Sequence, residues 1–155
     1  MPDQVIPAAL ARHPKLDELR PQFRPLVAAI LADLEAQGYQ PKISNAYRTA
    51  AQQAEKAKNG YSLTAKPGYH HWGLACDIVD QRWGWKVADD NAAFFRALRD
   101  ACDVVGVASG GWWGLKPGRE RHSPWLRWRL GWDVAHCQII GAPRALRTDY
   151  GPGKR

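Results

Sequence analysis

The clearest hydrophobic rhythm lies between Pro21 and Gly38, where Phe23, Leu26, Val27, Ile30, Leu31 and Leu34 recur at steps of three and four. That spacing predicts an amphipathic helix with one face on the core and a stop at Gly38. Before it, residues 1 to 20 are weakly patterned and suggest short helical pieces interrupted near Pro14. After it, Gln40 to Ala46 reads as a short strand leading into Tyr47-Arg48-Thr49. Thr49 is placed to cap a helix over Ala50 to Lys58, which Asn59-Gly60 closes. A loop through Pro67-Gly68 delivers the chain to a buried strand over Leu74 to Val79. A further helix is expected from a cap at Asp89 or Asp90 through Phe94, Phe95, Leu98, Ala101, Cys102 and Val105, ended by Gly106. Leu130 to Ile140 returns to strand character, and Gly141 to Arg155 reads as a loosely attached basic tail.

Composition changes this picture little. The 155 residues fit one ordinary domain, long enough to bury a core without disulfide or metal staples. No apolar run approaches the length of a membrane span. Met1 to Pro7 lacks the basic start and apolar core of a secretory signal, so the expectation is synthesis in the cytoplasm, with any action outside requiring release or export. The formal charge of +7 implies attraction to polyanions: nucleic acid, anionic lipid or a bacterial wall. Its densest run is Lys116, Arg119, Arg121, Arg127 and Arg129, and with no recognition motif beside it nucleic acid is not expected as a partner. Three cysteines, Cys76, Cys102 and Cys137, show no CxxC spacing and read as core residues rather than a disulfide framework or a thiolate zinc site.

The chemistry gathers in Gly68-Tyr69-His70-His71-Trp72-Gly73-Leu74-Ala75-Cys76-Asp77 and in Asp133-Val134-Ala135-His136-Cys137-Gln138. Catalytic zinc usually takes three protein ligands from His, Asp, Glu or Cys, and His70, Asp77 and His136 are the candidates. Seven residues separate His70 from Asp77, which would put them on opposite faces of one straight strand, so His70 belongs to the preceding loop, with Gly73 permitting a bend. Asp133 stands three before His136, close enough to share a site across a turn and to act as a base toward water. Arg48 falls at a strand-to-helix junction, where side chains often point into a cleft. His71 stays open as an alternative to His70, whereas His13 and His122 read as surface or hydrogen-bonded residues. If both motif stretches are strands, Cys76 and Cys137 face away from the site. Eight tryptophans sit mainly in glycine-containing loops; most are read as packing residues, and a few as the lining of a groove for sugar or peptide faces.

Taken together, Tyr47-Arg48-Thr49 with Gln53, the H-x-x-G-x-A-x-D run from His70 to Asp77, and D-x-x-H from Asp133 to His136 resemble the zinc D-alanyl-D-alanine carboxypeptidase and L-alanyl-D-glutamate endopeptidase family. The resemblance runs from about Ile43 to Ile139, and Trp72 with His-x-Gln at 136 to 138 is similar to the phage endolysin branch. It implies an α+β fold: a small single domain with a central antiparallel sheet flanked by helices, Hedgehog/DD-peptidase-like, over residues 1 to 140. It also implies Zn(2+) held by His70, Asp77 and His136, Asp133 as general base, and Arg48 as the group that holds the substrate and stabilises developing negative charge. Gln53 and Trp72 become substrate-binding candidates. The implied partner is bacterial peptidoglycan, met by a monomer at the cell wall or periplasm. The implied reaction is hydrolysis of the L-Ala–D-Glu bond, with a D-Ala-D-Ala carboxypeptidase and a non-catalytic wall-binding module as alternatives. One departure is Gly68, where the family often carries serine, which puts a hydrogen bond from that hydroxyl in doubt.

Overall fold

The computed structural model describes residues 2–62, 64–115 and 129–155. Among them are four helices, α1 (Pro2–Arg12), α2 (Arg24–Ala36), α3 (Ala50–Lys58) and α4 (Asp89–Val105). Four strands, β1 (Pro41–Asn45), β2 (Ala75–Asp80), β3 (Val107–Ser109) and β4 (His136–Ile139), form one antiparallel sheet in the order β1-β2-β4-β3. The α+β architecture expected from the sequence is present.

The helices start and stop for local reasons. Thr49 accepts from the Gln52 backbone N–H while the Gln52 side chain accepts from that of Thr49, a reciprocal cap at the start of α3. Gly106 ends α4 in the left-handed region at φ 76°, which a residue with a Cβ adopts only at a cost. The apolar faces of α2 and α4 meet one face of the sheet: Phe23, Val27, Ile30 and Leu34 join Phe94, Leu98 and Cys102 over Ile43, Ile78 and Cys137. Cys76 and Cys137, paired across β2 and β4, are in this core, and all three cysteines are buried and free.

The opposite face is the one that matters for chemistry. Asp77 pairs directly with His136 across β2 and β4. On its other side it pairs with Asn45, where the register of β1 shifts between Ile43 and Asn45. The extra residue is Ser44, and such a bulge re-aims the chain next to it. As a result three adjacent strands present Asn45, Asp77 and His136 side by side.

Two expectations change, and one strand is new. The strand anticipated over Leu130 to Ile140 is confined to His136–Ile139, because the N–H groups of Gly131, Trp132 and Asp133 are spent on Gly111, Trp113 and Gly110 instead of a partner strand. Strand β3 is only three residues long, too short for a periodicity to be read. The tail, expected to be loosely attached, is packed back on the domain. Ala142 and Tyr150 are buried, Tyr47 Oη donates to Asp149 at 2.6 Å, Arg24 donates to Tyr150 Oη at 3.2 Å, and the Tyr150 N–H donates to the His71 carbonyl at 3.0 Å. Composition misled there: the glycines and prolines shape a strap with its own contacts. In the basic run, Lys116, Arg119, Arg121 and Arg127, together with His122, lie outside the described residues.

Candidate metal centre

His70 reaches the site from a turn over Tyr69 to Gly73. The turn is closed by bonds from the Trp72 N–H to Gly68 and from the Leu74 N–H to Tyr69, 3.0 and 2.9 Å. Gly73 has φ 69°, and a Cβ placed on it would come within 2.6 Å of the Tyr150 ring, so both conformation and space demand glycine. The imidazole is oriented from behind, Nδ1–H donating to the Ala46 carbonyl at 2.8 Å. That leaves Nε2 toward the site, 3.6 Å from Asp77 Oδ2.

His136 is held in the complementary sense. Its Nε2–H donates to Gln138 Oε1 at 2.8 Å, which leaves Nδ1 facing the site, 3.4 Å from Asp77 Oδ1. Ligand atoms of His70, Asp77 and His136 all lie within 4.8 Å of one another, and all three residues are buried. Two imidazoles with their second nitrogens already committed, plus one carboxylate, match the donor set of a catalytic zinc site and the outer hydrogen bonds such ligands usually carry.

The electrostatics suit that use. Burial pulls the His70 pKa down to about 4 against the opposing pull of Asp77, so the ring is neutral and its lone pair free at ordinary pH. For Asp77, burial alone would raise the pKa, but His70, His136 and Arg48 outweigh it and bring the carboxyl down to about 2. Burial also pulls His136 down, yet the bond to Asp77 and the charges of Asp77 and Asp133 leave it raised. Asp133 is raised by burial and by Asp77, although His136 and Arg48 pull against this.

Asp133 comes to the site through a turn: the His136 N–H donates to the Asp133 carbonyl at 3.1 Å, and Asp133 Oδ2 lies 3.8 Å from His136 Nδ1. Gly110 makes this possible, since a Cβ there would overlap the Asp133 carbonyl oxygen. Arg48 enters from the junction of β1 and α3, with Nη2 3.9 Å from Asp77 Oδ2 and Nη1 donating to Gln53 Oε1 at 2.7 Å. Gln53 is itself buried, and its amide donates to Ser62 Oγ and the Thr64 carbonyl at 2.8 and 2.6 Å.

These residues border one cavity of about 700 Å³, which includes His70, Asp77, His136, Asp133, Arg48 and Gln53 in its lining. The structure brings five of these residues, all singled out in the sequence, together around the cleft. Gln53 is there too, but its amide has three protein partners and its position is that of a prop behind Arg48. Trp72 is not in the lining: its ring packs beside Tyr69 and on the core, and its carbonyl accepts from Arg20 Nε at 2.7 Å. His71 is also set apart, its Nδ1–H donating to the Arg48 carbonyl at 3.0 Å and its Nε2 3.8 Å from Asp149. Two residues gained a role only in three dimensions. Gln138 orients His136, for which the alternation of β4 was the available signal, and Asn45 donates to Asp77 at 3.3 Å, for which the unread bulge left none.

No protein-family model and no curated protein sequence matches the chain. Solved structures do. The L-Ala D-Glu endopeptidase ChiX of Serratia marcescens matches with a TM-score of 0.55 and 23% identity, over 81% of this chain and 84% of that one. The LdcB LD-carboxypeptidase matches at 0.53 and 16% identity, over 83% of this chain and 61% of LdcB. VanYB, solved in complex with D-alanine-D-alanine, matches at 0.52 and 17% identity, over 79% of this chain and 72% of VanYB. What the chain has in common with these three at such identities is the fold: it shares the backbone architecture of an L-Ala D-Glu endopeptidase, an LD-carboxypeptidase and VanYB.

Proposed function

We propose that the protein is a zinc-dependent peptidase of bacterial peptidoglycan stem peptides, cutting between L-alanine and D-glutamate. The observation that carries the reading is the convergence of His70 Nε2, an Asp77 carboxylate oxygen and His136 Nδ1 in a cleft that also holds Asp133 and Arg48. The fold shared with ChiX, and with a VanY variant solved with Zn(II), supports it.

His70, Asp77 and His136 would hold zinc, which when bound would supply Lewis acidity. The remaining work belongs to the chain. Asp133, its pKa raised by burial, is the proton acceptor, and returns the proton to the departing amine. Arg48 stays cationic and sits beside the ligands, where it holds the substrate carbonyl oxygen or carboxylate against developing negative charge. Gln53 fixes the rotamer of Arg48, so the guanidinium is placed before substrate arrives. Lys56 and Lys66 border the same cavity and add to its attraction for an acidic peptide.

Mass spectrometry of digested muropeptides tests the reading. A new D-glutamyl amine terminus is expected, lost on chelation and restored by zinc. Release of free D-alanine would replace the reading by the carboxypeptidase, and cleavage by protein verified as metal-free would remove the mechanism.

A further inference from the structure

The cleft carries an aromatic wall that the chemistry above does not use. The Trp113 ring lies against His136, centroids 4.9 Å apart, and the Trp132 ring lies against Trp113 at 5.4 Å. The three rings step outward from the metal centre to solvent, where Trp132 is 61% exposed although it is a large apolar side chain. Both tryptophans line the same cavity as the ligands.

The steps are built into the backbone. The Gly131 N–H donates to the Gly111 carbonyl at 2.6 Å and the Trp132 N–H to the Trp113 carbonyl at 3.0 Å. A Cβ on Gly131 would meet Trp113 backbone atoms within 2.5 Å, and one on Gly114 would come within 2.9 Å of the Trp132 ring. Two glycines thus give room for the tryptophans to meet at a tilt of 45°, and the same zipped segments deliver Asp133.

Stem peptides offer little to such a surface. Their residues are small, acidic or diamino, with no large apolar side chain. The hexopyranose that carries the stem peptide does, for an aromatic face packs on the C–H face of a sugar ring. Distance then decides which bond leaves the sugar in reach. In the order L-Ala, D-Glu, diamino acid, D-Ala, D-Ala, the L-Ala–D-Glu bond is one residue from the sugar's lactyl group. The terminal bond is three residues further out, about 10 Å more of extended chain.

We propose that Trp132, backed by Trp113, forms a carbohydrate subsite for the N-acetylmuramyl ring on the amino-terminal side of the scissile bond. The inference rests on the endopeptidase reading and deepens it: the substrate is a stem peptide still attached to its glycan.

Two measurements test it. The first is kcat/KM on an N-acetylmuramyl stem peptide relative to the same peptide freed of sugar. Wild type is expected to favour the glycosylated substrate by about two- to tenfold, the range for one aromatic packing contact. Trp132→Ala should bring the ratio toward one and Trp132→Phe should keep part of it. No preference in wild type, or a preference untouched by Trp132→Ala, overturns the subsite while leaving the peptidase reading intact. The second is quenching of tryptophan fluorescence by the peptide-free disaccharide N-acetylglucosaminyl-N-acetylmuramic acid. Quenching in wild type and its loss in Trp132→Ala support the subsite even if no peptide is cut, in which case only the peptidase reading falls. Absence of quenching, with no sugar preference in cleavage, overturns the subsite.

Discussion

Asp133 and Gln138 lie on either side of His136, and they make different predictions. Asn in place of Asp133 keeps the size and removes the carboxylate proposed as proton acceptor. Hydrolysis is expected to fall by about 10²–10⁴-fold, with zinc content by elemental analysis unchanged; equal loss of zinc would make Asp133 a structural support of the metal. Gln138→Ala removes the acceptor behind His136 Nε2, so zinc affinity by competition with a chromophoric chelator should drop about 10–100-fold. The two were unequally legible in the sequence. Asp133 stood out because a carboxylate three before a histidine is a spacing with chemical meaning. Gln138 stood in the sequence only as the end of a His-x-Gln run, and the rotation of the His136 ring reveals its task. Trp72 shows the reverse: an aromatic inside the motif whose ring turns to the core.

Among elements, the turn from Tyr69 to Gly73 and the strap from Gly141 to Arg155 act as one piece. The Tyr150 ring fills the space a side chain at Gly73 would need, Arg20 ties Trp72 to Thr148, and the Tyr150 N–H binds the His71 carbonyl. Gly73→Ala therefore has to strain a left-handed backbone and displace the ring, and should destabilise by about 2 kcal/mol or more. Tyr150→Ala leaves a cavity in the same place, at a cost of about 3 kcal/mol. Urea titration measures both losses, and the double variant should lose less than the sum because the residues are in contact. Additive losses would separate the strap from the turn. Helices α2 and α4 could be read from their apolar period and α3 from its Thr49 cap, although α4 is capped at Ala88 and not at Asp89 or Asp90. The strap could not, because its contacts are with residues more than seventy positions away.

For the whole molecule, acid is the sensitive direction. The folded pKa of His70 is near 4 and its ordinary value is 6.5, so between those limits the unfolded chain binds a proton that the native chain does not. Stability of the metal-free protein should fall as pH drops from 6.5 toward 4, and Asp77 continues the loss from 3.8 toward 2. His136 runs the other way, but its raised pKa places its effect at and above 6.5, whereas the raised carboxyl of Asp133 opposes the loss above 3.8 and makes it shallower. Urea midpoints of chelated protein at pH 6.5 and 4.5 check this, and the decline should be shallower in His70→Gln. An unchanged midpoint would mean that His70 is not buried neutral in the metal-free fold. At this scale the sequence disclosed the class of fold and the face that carries the ligands. The strand order escaped it, since β3 offers three residues and the bulge at Ser44 leaves no periodic trace.

The pairing of Asp77 with His136 has a further consequence for how the sheet is assembled. Side chains alternate along β4, so sliding it by one residue past β2 would set Ala135 or Cys137 opposite Asp77 and turn His136 toward the helices. The two misaligned sheets could keep backbone bonds, but they would turn Cys137 and Ile139 out of the core and His136 and Gln138 into it. They cannot hold an ion between β2 and β4. A metal bound only in the native alignment would lower its free energy alone, so an ion held by His70, Asp77 and His136 would also act as a gauge, distinguishing the correctly threaded sheet from its nearest competitors.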